Sequence, residues 1–138
     1  MGIRNKFFLN DSLLVDISTG ILTLQDLGEY QDELKKDPRL PKIRKILSIT
    51  KDASVKLSLK EMYLYVEILK KTTRETNIRW AILTSTPSVT AFASLIELDK
   101  SYQNKVLICS TLEAATRFLQ IQISESDLQS SDFKQFGG

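Results

Sequence analysis

The chain is expected to fold as a single α/β domain with a mixed sheet of about five strands and about four helices, and three features predict this. Short apolar runs of strand length alternate with longer segments of helical period, from one end of the chain to the other. Capping signals stand at the start of most helical segments: Thr23 with Asp26, Ser58 with Glu61, Thr86 before Pro87, and Thr111. The opening strands are separated only by Asn10-Asp11, too short a link for a crossover, whereas the later strands are separated by whole helices.

Taken in order, Lys6 to Leu9 and Ser12 to Ser18 read as a hairpin about a two-residue turn. In the second strand Leu13, Val15 and Ile17 share one face, with Leu14, Asp16 and Ser18 on the other, the alternation of a sheet half covered by helices. Gly20 is expected to break the strand. Thr23 then caps a helix with Leu24, Leu27, Tyr30 and Leu34 on one side, which ends before Asp37-Pro38 because the residue preceding proline is pushed out of the helical region. Ile43 to Thr50 has apolar residues of both parities and reads as a central strand. The capping box Ser58-x-x-Glu61 opens a second helix, with Leu59, Met62, Val66 and Leu69 as its buried stripe and an end near Thr76. Ile78 to Thr84 is a further interior strand; Val89, Phe92, Ala93 and Ile96 face inward from a third helix. Lys105 to Cys109 is the last strand, and Leu112, Ala115 and Leu119 face inward from the last helix. Residues 1–123 form the domain, and residues 124–138, polar and poor in aliphatics, read as a mobile tail.

Composition limits the chemistry. With 138 residues, 42% hydrophobic and 26% charged, the chain has the make-up of an ordinary globular domain rather than a disordered one. A net charge of +2 gives no strong pull on nucleic acid or anionic lipid, and the basic stretch Lys35, Lys36, Arg39, Lys42, Arg44 and Lys45 is diluted by Asp32, Glu33 and Asp37 and carries no aromatic for base stacking. It reads as a solvated corner, and no nucleic-acid partner is expected. The lone Cys109 forms no internal disulfide and sits in a buried strand, which fits a reducing cytoplasm. No run is long enough for a signal peptide or a membrane span, so a cytoplasmic location without a transmembrane segment is expected.

Histidine is absent, which removes the commonest general base and with it the Ser-His-Asp and Cys-His hydrolases. Glu29, Asp32, Glu33, Glu67 and Glu75 lie on helix surfaces and read as solvated faces rather than metal ligands, and the five glycines form no phosphate cradle. No enzyme activity, cofactor or metal is expected. Open parallel sheets bind ligands outside the carboxyl ends of their strands. Here those ends carry Thr50, Asp52 and Ser54, then Thr84, Ser85 and Thr86, then Ser110, a candidate crevice whose alternative reading is the ordinary chemistry of caps and turns.

The hairpin running into Gly20-Ile21-Leu22-Thr23, the Asp37-Pro38 loop, the strands Ile43 to Thr50 and Ala81 to Ser85, and the closing Leu112 to Leu119 together resemble the SpoIIAA-like group of STAS-type domains. That fold is shared with anti-sigma factor antagonists and is akin to Sec14-type lipid carriers. The resemblance implies a non-catalytic regulatory domain that binds another protein, or a second copy of itself, through helices beside the central strand. In the antagonists an Asp-Ser-Ser-Gly motif opens the helix after that strand and its serine is phosphorylated. The matching stretch here is Lys56-Leu57-Ser58-Leu59, in which only Ser58 survives, so Ser58 and Lys56 are the candidate phospho-switch or partner-binding residues. Phosphate there would meet free helix amides with Lys56 and Lys60 near, yet Ser58 also has a complete role as a cap. The alternative is a carrier or sensor of a small apolar or lipid-like molecule, for which Tyr63, Tyr65 and Ile68 on the second helix and Phe92 and Leu95 on the third supply bulk.

Overall fold

A computed structural model describes residues 2–73 and 77–137. Six strands form one sheet: β1 (Gly2–Phe8), β2 (Leu13–Leu22), β3 (Lys45–Val55), β4 (Arg79–Leu83), β5 (Val106–Cys109) and β6 (Lys134–Phe136), in the order β5-β4-β3-β2-β1-β6. β2 through β5 run parallel; β1 pairs antiparallel with β2, and β6 antiparallel with β1. Helices α1 (Leu24–Lys35), α2 (Leu59–Thr73) and α3 (Pro87–Leu98) each connect successive parallel strands. Because each crossover steps the same way along the sheet and such crossovers are right-handed, all three helices land on one face. The other face is covered by α4 (Leu112–Leu119) and α5 (Glu125–Leu128).

The pleat divides the core accordingly. Leu14, Ile46, Trp80 and Ile82 pack under α1 to α3 with Leu27, Tyr65, Phe92 and Ile96. Leu13, Val15, Leu47, Ala81 and Leu83 pack against Ala115, Leu119 and Leu128. The sheet is therefore covered on both sides, not half covered: Asp16 and Ser18, on the face read as the polar one, are buried.

Several boundaries differ from expectation for identifiable reasons. The hairpin link is four residues, not two, since Phe8 pairs with Leu13 and Leu9, Asn10 and Asp11 all adopt positive φ, closed by the Ser12 hydroxyl donating to the Leu9 carbonyl at 2.7 Å. Gly20 does not end β2. It sits inside it at φ 79, just after a register shift between Ile17 and Thr19, so its conformational freedom accommodates an irregularity and the strand continues to Leu22. β3 likewise runs past Thr50 to Val55, paired with Thr19 to Leu22 of β2.

The helix starts behave largely as read. The Thr23 hydroxyl accepts from the Asp26 amide, and the Asp26 carboxylate accepts from the Thr23 amide. Ser58 and Glu61 make the same reciprocal pair at 3.1 and 2.9 Å, and the Thr111 hydroxyl accepts from the Ala114 amide. Thr86 is the exception: it occupies the cap position of α3, but its hydroxyl donates to the Ala53 carbonyl instead. The expected end of α2 near Thr76, and Glu75, lie outside the described residues. Leu59 is exposed rather than buried, and Tyr65, Val66, Leu69 and Thr72 form the inner stripe of α2.

Residues 124–137 are not a featureless extension. Ser124 and Asp127 form a capping box that opens α5, Leu128 is buried against the far face, and β6 pairs with Ile3 to Asn5. Phe136 meets the Tyr30 ring edge-on at 5.1 Å. The sixth strand and fifth helix come from this segment.

Candidate functional site

At the carboxyl ends of the parallel strands, β3 extends beyond β4, which stops opposite Ile49. The edge of β3 that would pair with a longer β4 is instead occupied by side chains of the loop leading into α3 and of the first turn of that helix. The Ser85 hydroxyl donates to the Lys51 carbonyl at 3.2 Å, Thr86 donates to the Ala53 carbonyl at 3.0 Å, and the Val55 amide donates to the Ser88 hydroxyl at 3.2 Å. Thr50, inside β3, returns a bond to the Leu83 carbonyl at 2.8 Å, and Thr84 accepts from the Thr86 amide at 3.2 Å. Backbone groups at an unpaired strand edge need partners, and these hydroxyls supply them. Asp52 and Ser110 are exposed, and Ser54 is half-buried within β3. The crevice residues are thus a seam whose hydroxyls mostly bond to backbone.

Ser58 and Lys56 stand at the rim of this seam, both exposed, where the chain leaves β3 for α2. The Lys56 amide donates to the Leu22 carbonyl at 2.8 Å, which prolongs the β2–β3 pairing by one step. From Ser58 onward the outer surface of α2 presents Leu59, Tyr63 and Leu64, which are 62%, 55% and 48% exposed. Leu59 and Tyr63 lie one turn apart and form an apolar ridge, which Leu64, next to Tyr63 in sequence and about 100° further round the helix, widens; Lys56, Lys60 and Glu67 border it. In the basic stretch before β3, Lys35, Lys36, Lys42 and Arg44 are exposed, Arg44 donating to the Pro41 and Ile43 carbonyls, while the half-buried Arg39 pairs with Asp37 at 2.8 Å and stacks over Phe7 at 3.9 Å.

Beneath α1, α2 and α3 lies a feature that sequence reasoning missed. Asp16 of β2 is buried, with its Oδ2 accepting from the Tyr30 hydroxyl at 3.3 Å. Tyr30 in turn accepts from the Asn5 side-chain amide at 3.1 Å. Ser48 of β3 is a second hydrogen-bonding partner of the carboxylate and accepts from the Trp80 indole at 2.9 Å. Burial pushes the Asp16 carboxyl up to about 6, against the smaller opposing effects of Ser48 and Tyr30. Burial also raises the Tyr30 and Tyr65 hydroxyls well above their ordinary value; Tyr65 accepts from Gln31 at 3.1 Å. A cavity of about 80 Å³ adjoins this cluster, with Asp16, Ser48 and Gln31 among its polar walls and Tyr65, Trp80 and Phe92 among its aromatic ones. The Tyr65 and Phe92 rings are 5.4 Å apart, while Tyr63 faces out and Ile68 and Leu95 are half-buried.

Cys109 is half-buried, its thiol raised by burial and directed to the Ile82 carbonyl at 3.7 Å. Among the described residues no three His, Cys, Asp or Glu side chains are grouped to hold a metal ion, and no helix is long and apolar enough to cross a membrane.

No family model matches the chain, and no curated protein matches it in sequence. Its fold is similar to the crystal structure of an uncharacterised protein of the DUF3478 family from Shewanella loihica PV-4, which has a SpoIIAA-like fold. The two are 17% identical and superpose with a TM-score of 0.60, over 86% of this chain and 93% of that one. With the opening hairpin, the parallel strands and the crossover helices all in place, this chain has a SpoIIAA-like fold.

Proposed function

We propose that the chain is a non-catalytic, cytoplasmic interaction domain of the STAS/SpoIIAA type that binds another protein, or a second copy of itself, through the outer face of α2. The observation that carries this reading is the ridge of Leu59, Tyr63 and Leu64, large apolar side chains left in solvent on a helix whose other face is well packed. Contiguous exposed apolar surface is where soluble proteins meet partners. Lys56 and Lys60 near its start and Glu67 one turn beyond Tyr63 give it a border of mixed charge, which favours a partner with an apolar groove and a complementary rim. Ser58 and Lys56 flank the ridge, so a phosphate on Ser58 would change the charge of that border directly.

The test is a Leu59→Glu, Tyr63→Glu double variant compared with wild type by light scattering across a concentration series, and by affinity capture. The reading requires a mass increase, or a specific retained protein, that the variant loses while its thermal unfolding is unchanged. Monomeric wild type whose captured proteins match those of the variant would refute it.

A carrier of a small apolar molecule is the second reading, favoured by the cavity under α1 to α3. Its volume of about 80 Å³ is well below the roughly 300 Å³ at which ordinary ligand pockets begin, so a lipid-like molecule would require the helices to part.

A further inference from the structure

The interior cavity has an unusual combination of walls. Aromatic side chains come from three elements, Tyr30 from α1, Tyr65 from α2 and Phe92 from α3, with Trp80 beneath them from β4. In their midst stands a single carboxylate, Asp16. Among the described residues no lysine or arginine lines the cavity and no ion pair involves Asp16. An ionised carboxylate has about four acceptor positions, and two donors, Tyr30 and Ser48, reach this one. Buried charges are ordinarily paired, because an isolated one forgoes most of its hydration. Ring faces and a carboxylate together form the chemistry that recognises organic ammonium ions.

We propose that this cavity binds a small organic cation, a compact primary ammonium or similar group, with Asp16 as its counter-ion and the aromatic side chains as its walls. Size follows from volume: at about 30 Å³ per water in the liquid, 80 Å³ accommodates a ligand of a few non-hydrogen atoms. Sodium or potassium would gain little from the apolar part of the wall, Val89, Ala93 and Ile96 of α3, whereas a short alkyl ammonium fills it. The groups packed around Asp16 are Asn5, Ser48 and Trp80 from the strands, Tyr30 and Gln31 from α1 and Tyr65 from α2, and α3 contributes only apolar residues. Asp16 is therefore the group whose ionisation the cation would read. This inference does not depend on the α2 ridge, which lies on the opposite side of that helix.

Trp80 is the only tryptophan, so its indole N–H gives one NMR signal inside the site. The experiment titrates the protein with ethylammonium chloride, with sodium chloride at matched ionic strength, and with ethanol as the neutral analogue. Well above pH 6, ethylammonium should move the indole signal saturably, with a dissociation constant in the millimolar range set by so few ligand atoms, and the controls should not. Affinity should fall about tenfold for each pH unit below about 6, as Asp16 takes up its proton. Asp16→Asn, checked for an unchanged amide spectrum, should lose the response. An absent or unsaturable shift, an equal response to ethanol, or wild-type affinity unaffected by acid would each overturn the proposal, and the last needs no variant.

Discussion

The Trp80 indole donates to the Ser48 hydroxyl at 2.9 Å, and the same hydroxyl is one of two groups that hold the Asp16 carboxylate. One serine thus ties β4 to β2 across β3, within the layer roofed by α1 and α2. Removing it would orphan the buried Trp80 indole N–H and leave Asp16 with Tyr30 alone. Ser48→Ala is expected to cost about 1–3 kcal/mol in urea unfolding, the penalty of one orphaned buried group. A loss below about 0.5 kcal/mol would show that water replaces the hydroxyl without cost.

The pH dependence of stability should carry the signature of Asp16. Its folded pKa of about 6 lies above the ordinary 3.8, so the folded state prefers the protonated carboxyl. This contribution is fully present below about 3.8 and is lost as pH rises through about 6, a change of about 3 kcal/mol over that window. Asp16→Asn should flatten that limb and gain stability relative to wild type above pH 6, as read by urea midpoints across a pH series.

Ser58 should behave as a cap. Ser58→Ala is expected to lower stability by about 1 kcal/mol, and Ser58→Asp, which retains a capping oxygen, by less than half of that. If Ser58→Asp instead abolished self-association or partner capture at unchanged stability, a phosphate at this position would be controlling binding.

The seam between β3 and the α3 loop should open locally before the sheet does. Thr86→Val removes the bond to the Ala53 carbonyl and should cost about 1 kcal/mol. Amide hydrogen exchange at Val55, whose N–H is held by Ser88, should quicken in Ser88→Ala while exchange at Leu47 stays slow.

Much of the architecture was legible because local chemistry and global topology agree. The caps at Thr23 and Ser58 and the Asp37-Pro38 stop each act over a few residues, and the structure keeps them, while the apolar run Ile43 to Thr50 supplies the first part of β3 from Lys45 onward. What was misread depends on distant partners. Lys134 to Phe136 carries no strand pattern of its own and becomes a strand because the edge of β1 is free to receive it. Leu59 has the spacing of a buried residue but lies in the first turn of α2, beyond the packed stripe that starts lower on the helix. Asp16 looked like the polar member of an alternating strand. Its burial depends on Tyr30 and Ser48, residues from a helix and a neighbouring strand, and no spacing along the chain announces that meeting. Thr50, Asp52 and Ser54 were read as following the central strand but lie within β3, and the hydroxyls of Thr50, Ser85 and Thr86 bond to the backbone of β3 and β4, which only the unequal lengths of those strands explain.

The pairing of β6 with β1, Ile3 opposite Phe136, has a consequence for biosynthesis. β1 gains its outer neighbour from residues that lie far behind it in the order of synthesis. Until β6 docks, that flank offers bare amides and carbonyls to any other polypeptide, so the fold-back also shields an edge open to aggregation.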